Sequence, residues 1–194
     1  MSDKYRSPDT RELSDRGLPE ADFPAASGEF RVYFEPDAHE KILAHAEKDK
    51  SVELGGVLAG TWQRDKDGPF VAVRHVICSQ LAASGTGEVT FTHDAWAEIH
   101  REMDGKYPDL AIVGWYHTHP DFGVFLSERD RFIHEHFFGQ PGQIALVVDP
   151  VRNLEGVFVW RNGKTARCPH YWIGKRVFSP PRETEEVRFE SPTS

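Results

Sequence analysis

Apolar residues recur along this chain at two spacings, one typical of β-strands and one typical of amphipathic helices. The run from Leu110 to Tyr116 is almost wholly apolar and predicts a buried strand that continues into two histidines. Residues 36–48 place Ile42, Leu43 and Ala46 on one helical face behind a proline, which favours a helix start. Further strands are predicted at 29–34, 53–63, 70–79, 88–92, 143–148 and 154–161, and further helices at 94–103 and 127–138. The pattern predicts an α/β domain in which helices pack against a β-sheet.

The strand that begins at Leu110 ends in His117-Thr118-His119, which places two imidazoles on one face. Side chains at alternate positions of a strand lie roughly 6–7 Å apart, so two ring nitrogens can converge on one metal ion at about 2.0–2.1 Å. Asp130 lies one turn inside the helix that Ser127 opens, and it is the natural third ligand. These side chains can together hold a metal ion and its water.

A structural role explains the same residues without a metal. A His-x-His pair on a strand is more often solvated or hydrogen-bonded than bound to a metal. Ser127-Glu128-Arg129-Asp130 also has the pattern of a capping box, in which the serine and the acidic side chain satisfy free amides at a helix start. The two roles are compatible, because capping would hold Ser127 and Asp130 in place.

A second segment, distant along the chain, adds a carboxylate to this set. Glu53 precedes an apolar run with several glycines, and glycine inside a strand often marks close approach of another backbone or a ligand. The combination of Glu-x-x-Gly-x-Leu-x-Gly with Gly-Trp-Tyr-His-x-His-Pro-x-Phe-Gly-x-x-Leu-Ser-x-x-Asp resembles the JAMM/MPN+ (Mov34/PAD-1) zinc metalloproteases, the family of the proteasome-lid and signalosome deubiquitinases. The motif positions are filled by Glu53, Gly56, Leu58, Gly60, His117, His119, Pro120, Ser127 and Asp130, and Val147-Val148-Asp149-Pro150 resembles a strand end common in that family.

This resemblance implies a fold, a cofactor and a mechanism. The fold is the MPN (JAB/cytidine-deaminase-like) fold, a mixed β-sheet flanked by helices. The metal is Zn²⁺, held by His117, His119 and Asp130, with the fourth position left for water. Glu53 is the general base that passes the proton of that water to the leaving amine. Ser127 donates a hydrogen bond to the developing oxyanion.

Aromatic and histidine residues around the motif are expected to have more ordinary roles. Trp115 and Phe122 are expected to wall the site, although a tryptophan in a strand is more often part of the core. His134 and His136 follow Asp130 on the same predicted helix. We expect both at the surface rather than as extra metal ligands.

The resemblance predicts a peptidase or isopeptidase that cleaves after the C-terminal glycines of ubiquitin or a ubiquitin-like protein. Its partners would be that protein or its conjugates, together with E1- and E2-like conjugation enzymes. Two other classes remain open. A non-catalytic MPN scaffold would only hold partners, but such scaffolds lack the His/His/Asp/Glu set that this chain keeps whole. A zinc hydrolase of small molecules, such as a deaminase, is disfavoured because the chain has no Cys-x-x-Cys pair.

Composition limits the partners and the cellular location that are expected for this protein. The 194 residues carry a formal net charge of −8, which argues against nucleic acid as the main partner. No run of about 18 apolar residues predicts a membrane span, and the polar start is unlike a signal peptide. Two cysteines without an export signal predict a reducing, cytoplasmic location.

The chain divides at two changes in composition. Residues 1–27 are polar and rich in Pro, Ser and charge, so we expect a flexible N-terminal arm. Residues 28–174 are expected to form the catalytic domain, and residues 175–194 a C-terminal tail. After Trp160 only one short strand-like piece is expected, which indicates a compact member of the family, of the kind found in prokaryotes.

Overall fold

A computed structural model describes residues 30–65, 68–79 and 91–180 of the chain. In these ranges the elements are, in chain order, β1 (Arg31–Phe34), α1 (Pro36–Ala46), β2 (Gly55–Asp65), β3 (Gly68–Ser79), α2 (His93–Lys106), β4 (Ala111–Thr118), α3 (Glu128–Phe137), β5 (Ile144–Asp149), β6 (Leu154–Arg161), β7 (Lys164–Arg167), β8 (Tyr171–Ile173) and β9 (Arg176–Phe178). The strands form one sheet in the order β7-β6-β5-β4-β2-β3-β1-β8-β9. Because β1 is parallel to β3 and β4 to β5 while β2 is antiparallel to its neighbours, the predicted mixed sheet is confirmed.

Both faces of the sheet are buried against helices. On one face, Trp115 of β4 packs in a core with Ile99 of α2 and Ile133 of α3. On the other face, Tyr116 packs in a second core with Ile42 of α1. Since adjacent strand residues point to opposite faces, the residue two positions after Trp115 lies on the α2/α3 side. This alternation decides which helix can complete a site at the end of β4.

The central strand β2 lies so close to β3 that glycine is required at two positions. A Cβ atom at Gly56 would lie 2.2 Å from the carbonyl oxygen of Ile77, and one at Gly60 would lie 2.0 Å from that of Ala72. The prediction that these glycines mark close approach of another backbone is therefore confirmed. A larger residue at either position would push the two strands apart.

Two predicted elements begin or end differently. β2 begins at Gly55, so Glu53 lies on the segment before the strand rather than within it. Thr92, the last residue of the predicted strand 88–92, caps α2 instead by accepting a hydrogen bond from the backbone N–H of Ala95 at 3.2 Å. Residues 88–90 lie outside the described residues, as does the predicted arm at 1–27. In the described ranges, no helix is long and apolar enough to cross a membrane.

The expectation of a single strand-like piece after Trp160 is wrong. Three short strands follow β6, and β8 pairs with β1 in parallel while β9 pairs with β8. β9 also lies beyond residue 174, where we placed the end of the domain, and residues 181–194 of the predicted tail lie outside the described residues. Strands of three or four residues carry too little periodicity to be predicted from sequence, and long-range pairing decides whether they form.

Candidate metal centre

Both histidines of the motif lie at the C-terminal end of β4, on the side of the sheet that faces α3. They are buried, with exposed fractions of 0% for His117 and 3% for His119. Their Nε2 atoms lie 3.0 Å apart. The backbone N–H of His119 donates a hydrogen bond to the carbonyl oxygen of Val148 at 2.8 Å, so β5 holds the second histidine just past the end of its strand.

The capping box of α3 supplies a carboxylate to the same point. The Oγ atom of Ser127 accepts the N–H of Asp130 at 3.1 Å, and Oδ2 of Asp130 accepts the N–H of Ser127 at 2.7 Å. Oδ1 of Asp130 lies 3.3 Å from Nε2 of His117, and Oδ2 lies 3.3 Å from Nε2 of His119. One carboxylate therefore caps the helix and faces both histidines.

The distances among these three groups fit a tetrahedral metal ion. An ion with bonds of about 2.0–2.1 Å to nitrogen and oxygen separates its ligand atoms by roughly 3.3–3.4 Å. In the structure the two Nε2 atoms are 3.0 Å apart, and each lies 3.3 Å from a different oxygen of the Asp130 carboxylate. Among the described residues, His117, His119 and Asp130 form a group that could hold a metal ion. Two imidazoles and one carboxylate are also a donor set that catalytic zinc uses, with a fourth position open.

The ionisation of Asp130 favours a cation at this point. Burial alone would raise the pKa of its carboxyl group. The neighbouring His117, together with hydrogen bonds from His117, His119 and Ser127, outweighs burial and holds that pKa well below its usual range. The group is therefore a carboxylate at neutral pH, which is the form that binds a metal.

Glu53 reaches the site through two hydrogen bonds between distant parts of the chain. The N–H of Leu54 donates to Oγ1 of Thr118 at 2.8 Å, and the N–H of Thr118 donates to the carbonyl oxygen of Leu54 at 2.8 Å. Oε1 of Glu53 consequently lies 3.8 Å from Nε2 of His119, and its side chain is 21% exposed. Thr118 was not predicted to have a role, and its place between the two histidines was its sole signal in the sequence.

Aromatic rings pack against both histidines, though not all of those predicted. Trp115 stacks on His117 with ring centroids 4.5 Å apart and planes 11° apart. Phe122 is 70% exposed, whereas the ring that packs against His119, at 4.8 Å, belongs to Phe125. The wall expected from Phe122 is therefore supplied by Phe125, three residues further along the chain.

The expectation that His134 lies at the surface is wrong. It is fully buried, its Nδ1 atom accepts a hydrogen bond from Nε1–H of Trp115 at 3.1 Å, and its ring stacks on Trp160 at 4.7 Å. Burial, with a smaller contribution from the nearby His117, lowers the pKa of His134 to about 4. His134 thus supports the tryptophan that backs a candidate ligand, whereas His136 is exposed as expected.

A buried carboxylate also organises the loop that follows His119. Asp149 is fully buried and accepts backbone N–H groups from Asp121, Gly123, Val151 and Arg152 at 2.8–3.0 Å. Burial raises the pKa of this carboxyl group, but the four N–H donors outweigh burial and lower it overall. The sequence resemblance at this strand end had suggested no role, and the Asp-Pro pair after an apolar strand was the available signal.

Residues 29–139 match the family described as JAB1/Mov34/MPN/PAD-1 ubiquitin protease, and this range covers more than half of the chain. The chain belongs to this family. The resemblance to JAMM/MPN+ proteins and the MPN fold predicted from it are both confirmed.

Two relatives show how far the similarity to this family extends. The chain is 31% identical over 143 residues to the 26S proteasome regulatory subunit rpn11 of Schizosaccharomyces pombe, an alignment that covers 71% of this chain and 44% of the relative. It is 30% identical over 131 residues to the ubiquitin carboxyl-terminal hydrolase RPN11 of Saccharomyces cerevisiae, covering 66% and 41%. The chain thus spans less than half the length of these curated relatives.

A solved structure supports the same fold at lower sequence similarity. A protein from Desulfitobacterium hafniense, determined in solution, matches with a TM-score of 0.53 at 21% identity. The match covers 73% of this chain and 91% of that protein. At this identity the likeness shows the fold alone.

Proposed function

We propose that this chain is a zinc-dependent peptidase or isopeptidase that cleaves after the C-terminal glycines of ubiquitin or a ubiquitin-like protein. The observation that carries the proposal is the convergence of two imidazoles and a carboxylate at 3.0–3.3 Å with Glu53 beside them. The family to which the chain belongs is described as a ubiquitin protease, and one relative is named a ubiquitin carboxyl-terminal hydrolase. Both support the same reaction class.

Three side chains, His117, His119 and Asp130, would hold the metal. Bound zinc would lower the pKa of water and polarise the carbonyl group of the scissile bond. Glu53 is half-buried and adjacent to His119, so its carboxylate is placed to take a proton from the attacking water. The same carboxyl group would then give that proton to the leaving amine as the carbon–nitrogen bond breaks.

Ser127 is suited to stabilise the developing negative charge. Its Oγ atom already accepts the N–H of Asp130, so the hydroxyl proton can donate to the substrate carbonyl oxygen. Removing one such donor typically costs ~2.7–4 kcal/mol of transition-state stabilisation. The capping bond thus orients the hydroxyl as well as the helix.

The buried position of the histidines favours a substrate terminus without side chains. An extended Gly-Gly segment can bind through its main chain and lie in a narrow space beside a metal. His119 is 3% exposed and Phe125 packs against its ring, so bulky side chains would meet this wall. We therefore assign the C-terminal glycines to the segment next to the metal, with the ubiquitin-like protein or its conjugate as the partner.

Metal analysis and cleavage, measured on the same samples, test the proposal. We expect close to one zinc ion per chain in protein purified without chelator, and cleavage of a ubiquitin-like C-terminal fusion that stops with chelator and returns with zinc. Glu53→Gln should keep zinc and lose roughly 10²–10⁴-fold in cleavage rate, because it removes the general base. The matched variant His119→Ala should lose the zinc itself.

The outcomes separate three conclusions. Normal cleavage by Glu53→Gln would show that Glu53 is not the general base. Wild-type protein that binds no zinc would refute a metallopeptidase and leave the non-catalytic scaffold. Zinc in the wild type without cleavage of fusions to ubiquitin or ubiquitin-like proteins would refute the proposed substrate class while leaving the metal site intact.

A further inference from the structure

A cavity of about 650 Å³ lies at the opposite end of α3 from the candidate metal centre. Phe137 at the end of α3 and Ile112 near the start of β4 line it, together with Trp96 and His100 of α2. Asp130 and Phe137 are seven helical residues apart, which corresponds to roughly 10 Å along the axis. The cavity is therefore separate from the metal centre, and the proposed reaction does not use it.

The walls of this cavity are largely aromatic and carry one acidic residue. Glu135 lines it, and within the described residues no lysine or arginine does. The C-terminal end of α3, which carries the negative end of the helix dipole, lies at the same place. The rings of Trp96 and Phe137 pack 5.9 Å apart, and Phe137 is 46% exposed. Aromatic faces with a carboxylate beside them attract an organic cation.

Hydrogen bonds hold the cavity in a defined shape. Gln143 donates from Nε2 to the carbonyl oxygen of Ile112 at 3.1 Å and accepts the N–H of Gln140 at its Oε1, also at 3.1 Å. On the other wall, Trp96 stacks on His100 at 5.6 Å and packs against the buried Phe138 at 5.9 Å. Preformed cavities of about 300–1,000 Å³ with a few placed polar groups are typical of binding sites.

His136 also lines the cavity, and one of its ring nitrogens is hydrogen-bonded to the backbone. Its Nδ1–H donates to the carbonyl oxygen of Phe132 at 2.8 Å, which leaves Nε2 as an acceptor in the neutral ring. An anionic ligand would meet Glu135 and the negative end of α3, so the charges of the cavity disfavour it. A guanidinium group fits better, because it stacks on aromatic rings and offers five N–H donors in one plane.

We propose that this cavity binds an arginine side chain of a partner polypeptide. The volume exceeds that of one side chain, so residues beside the arginine would enter with it. The guanidinium group would lie against Trp96 and Phe137 and donate hydrogen bonds to Glu135. Arginine binding would give the chain a second contact surface. This proposal does not depend on whether the metal centre is catalytic.

NMR titration of the full chain with N-acetyl-arginine amide tests the proposal. We expect a saturable shift of the Trp96 indole resonance, which the variant Trp96→Phe identifies by removing it. N-acetyl-citrulline amide has a side chain of nearly the same shape without the charge, and should bind at least about tenfold more weakly. Equal binding of the two amides would overturn the assignment to a cation.

Two charge-neutralising variants locate the binding. Glu135→Gln should weaken binding of the arginine amide about tenfold. Glu40→Gln removes the same charge from an exposed position on α1, across the sheet, and should leave binding unchanged. Unchanged binding in Glu135→Gln, an equal loss in Glu40→Gln, or no shift of the Trp96 resonance at any concentration would each refute the proposal.

Discussion

Two buried clusters of histidine and carboxylate lie on opposite faces of the same sheet, and they have opposite hydrogen-bonding characters. On the α3 side, Nε2 of His117 faces Nε2 of His119 at 3.0 Å with the Asp130 carboxylate 3.3 Å from each. On the α1 side, both oxygens of Glu155 lie 2.9–3.0 Å from Nε2 of His39, and Glu155 also accepts a hydrogen bond from the hydroxyl of Tyr171.

The two clusters differ in the balance between hydrogen-bond donors and acceptors. In the α1 cluster each acceptor meets a donor, since Nε2–H of His39 and the hydroxyl of Tyr171 both point to Glu155. In the α3 cluster the two Nε2 atoms face each other at 3.0 Å, so they cannot both carry a proton, and at least one of them is an acceptor beside an ionised carboxylate. A cation satisfies these converging acceptors. Burial of histidine and carboxylate is therefore no sign of a metal site by itself, whereas convergence of acceptors is.

The largest expected effect concerns metal affinity. His117→Ala should weaken zinc binding by more than roughly 100-fold, because losing even an outer partner of a ligand costs ~10–100-fold. His39→Ala removes a buried imidazole from the other cluster and should leave zinc affinity unchanged. Titration of both metal-free variants with zinc by calorimetry makes the comparison. Comparable losses in the two variants would show that the clusters do not differ in this way.

A smaller effect is expected on the stability of the fold, and here the sensitive cluster is the one on the α1 side. Tyr171→Phe should lower the free energy of unfolding by about 2 kcal/mol, because a buried carboxylate loses a charged hydrogen bond. Burial and Glu155 raise the pKa of Tyr171, so its hydroxyl remains a donor over the whole working range of pH. Zinc affinity should not change.

A second tyrosine provides a control, because its variant shows what the loss of a hydroxyl group costs without the Tyr171–Glu155 hydrogen bond. The hydroxyl of Tyr33 donates to Glu35 at 3.1 Å, a partner that is not buried. Tyr33→Phe should therefore cost no more than about 1 kcal/mol. Urea unfolding of the two variants measures both values, and equal losses would contradict a structural role specific to the Tyr171–Glu155 pair.

The smallest effect concerns His134, a third kind of buried histidine that accepts one hydrogen bond and stays neutral. Because its folded pKa is lowered to about 4, the unfolded chain takes up a proton near pH 6.5 while the folded chain does not. Stability is thus lost as the pH falls from about 6.5 towards 4. Metal-free wild type should lose about 1 kcal/mol more than His134→Gln between pH 7.5 and 5.5. Identical pH profiles in denaturant unfolding would show that His134 titrates normally in the folded state.

Local pattern alone predicted much of the fold and half of the candidate site. The apolar run before His117 predicted β4, and in the elements other than 88–92 and the last three strands the predicted bounds lie within three residues of those seen. Alternation along the strand placed His117 and His119 on one face, and the capping pattern placed Ser127 and Asp130 at a helix start. These features depend on residues a few positions apart, which is the range over which sequence periodicity carries information.

Contacts between distant segments decided the rest. Without the family resemblance, nothing near Glu53 would have placed it at the histidines, because it arrives through the pairing of Gly55 with His117 and the bonds of Leu54 to Thr118. The same holds for two of the four N–H groups on Asp149, those of Asp121 and Gly123. These donors are 28 and 26 residues away, where no local pattern reaches.

By itself, then, the sequence determined the strand, the helix cap and the chemical types that can bind a metal, since each follows from backbone geometry over a few residues. Tertiary structure alone decided that His134 is buried, that Phe125 rather than Phe122 packs on His119, and that Tyr171 reaches Glu155 from a strand near the opposite edge of the sheet. Such outcomes depend on which surfaces meet when α1 and α3 pack against the two faces of the sheet. Side-chain packing and strand pairing between distant segments select these contacts. Their free energies depend on many residues together and are not encoded at any one position.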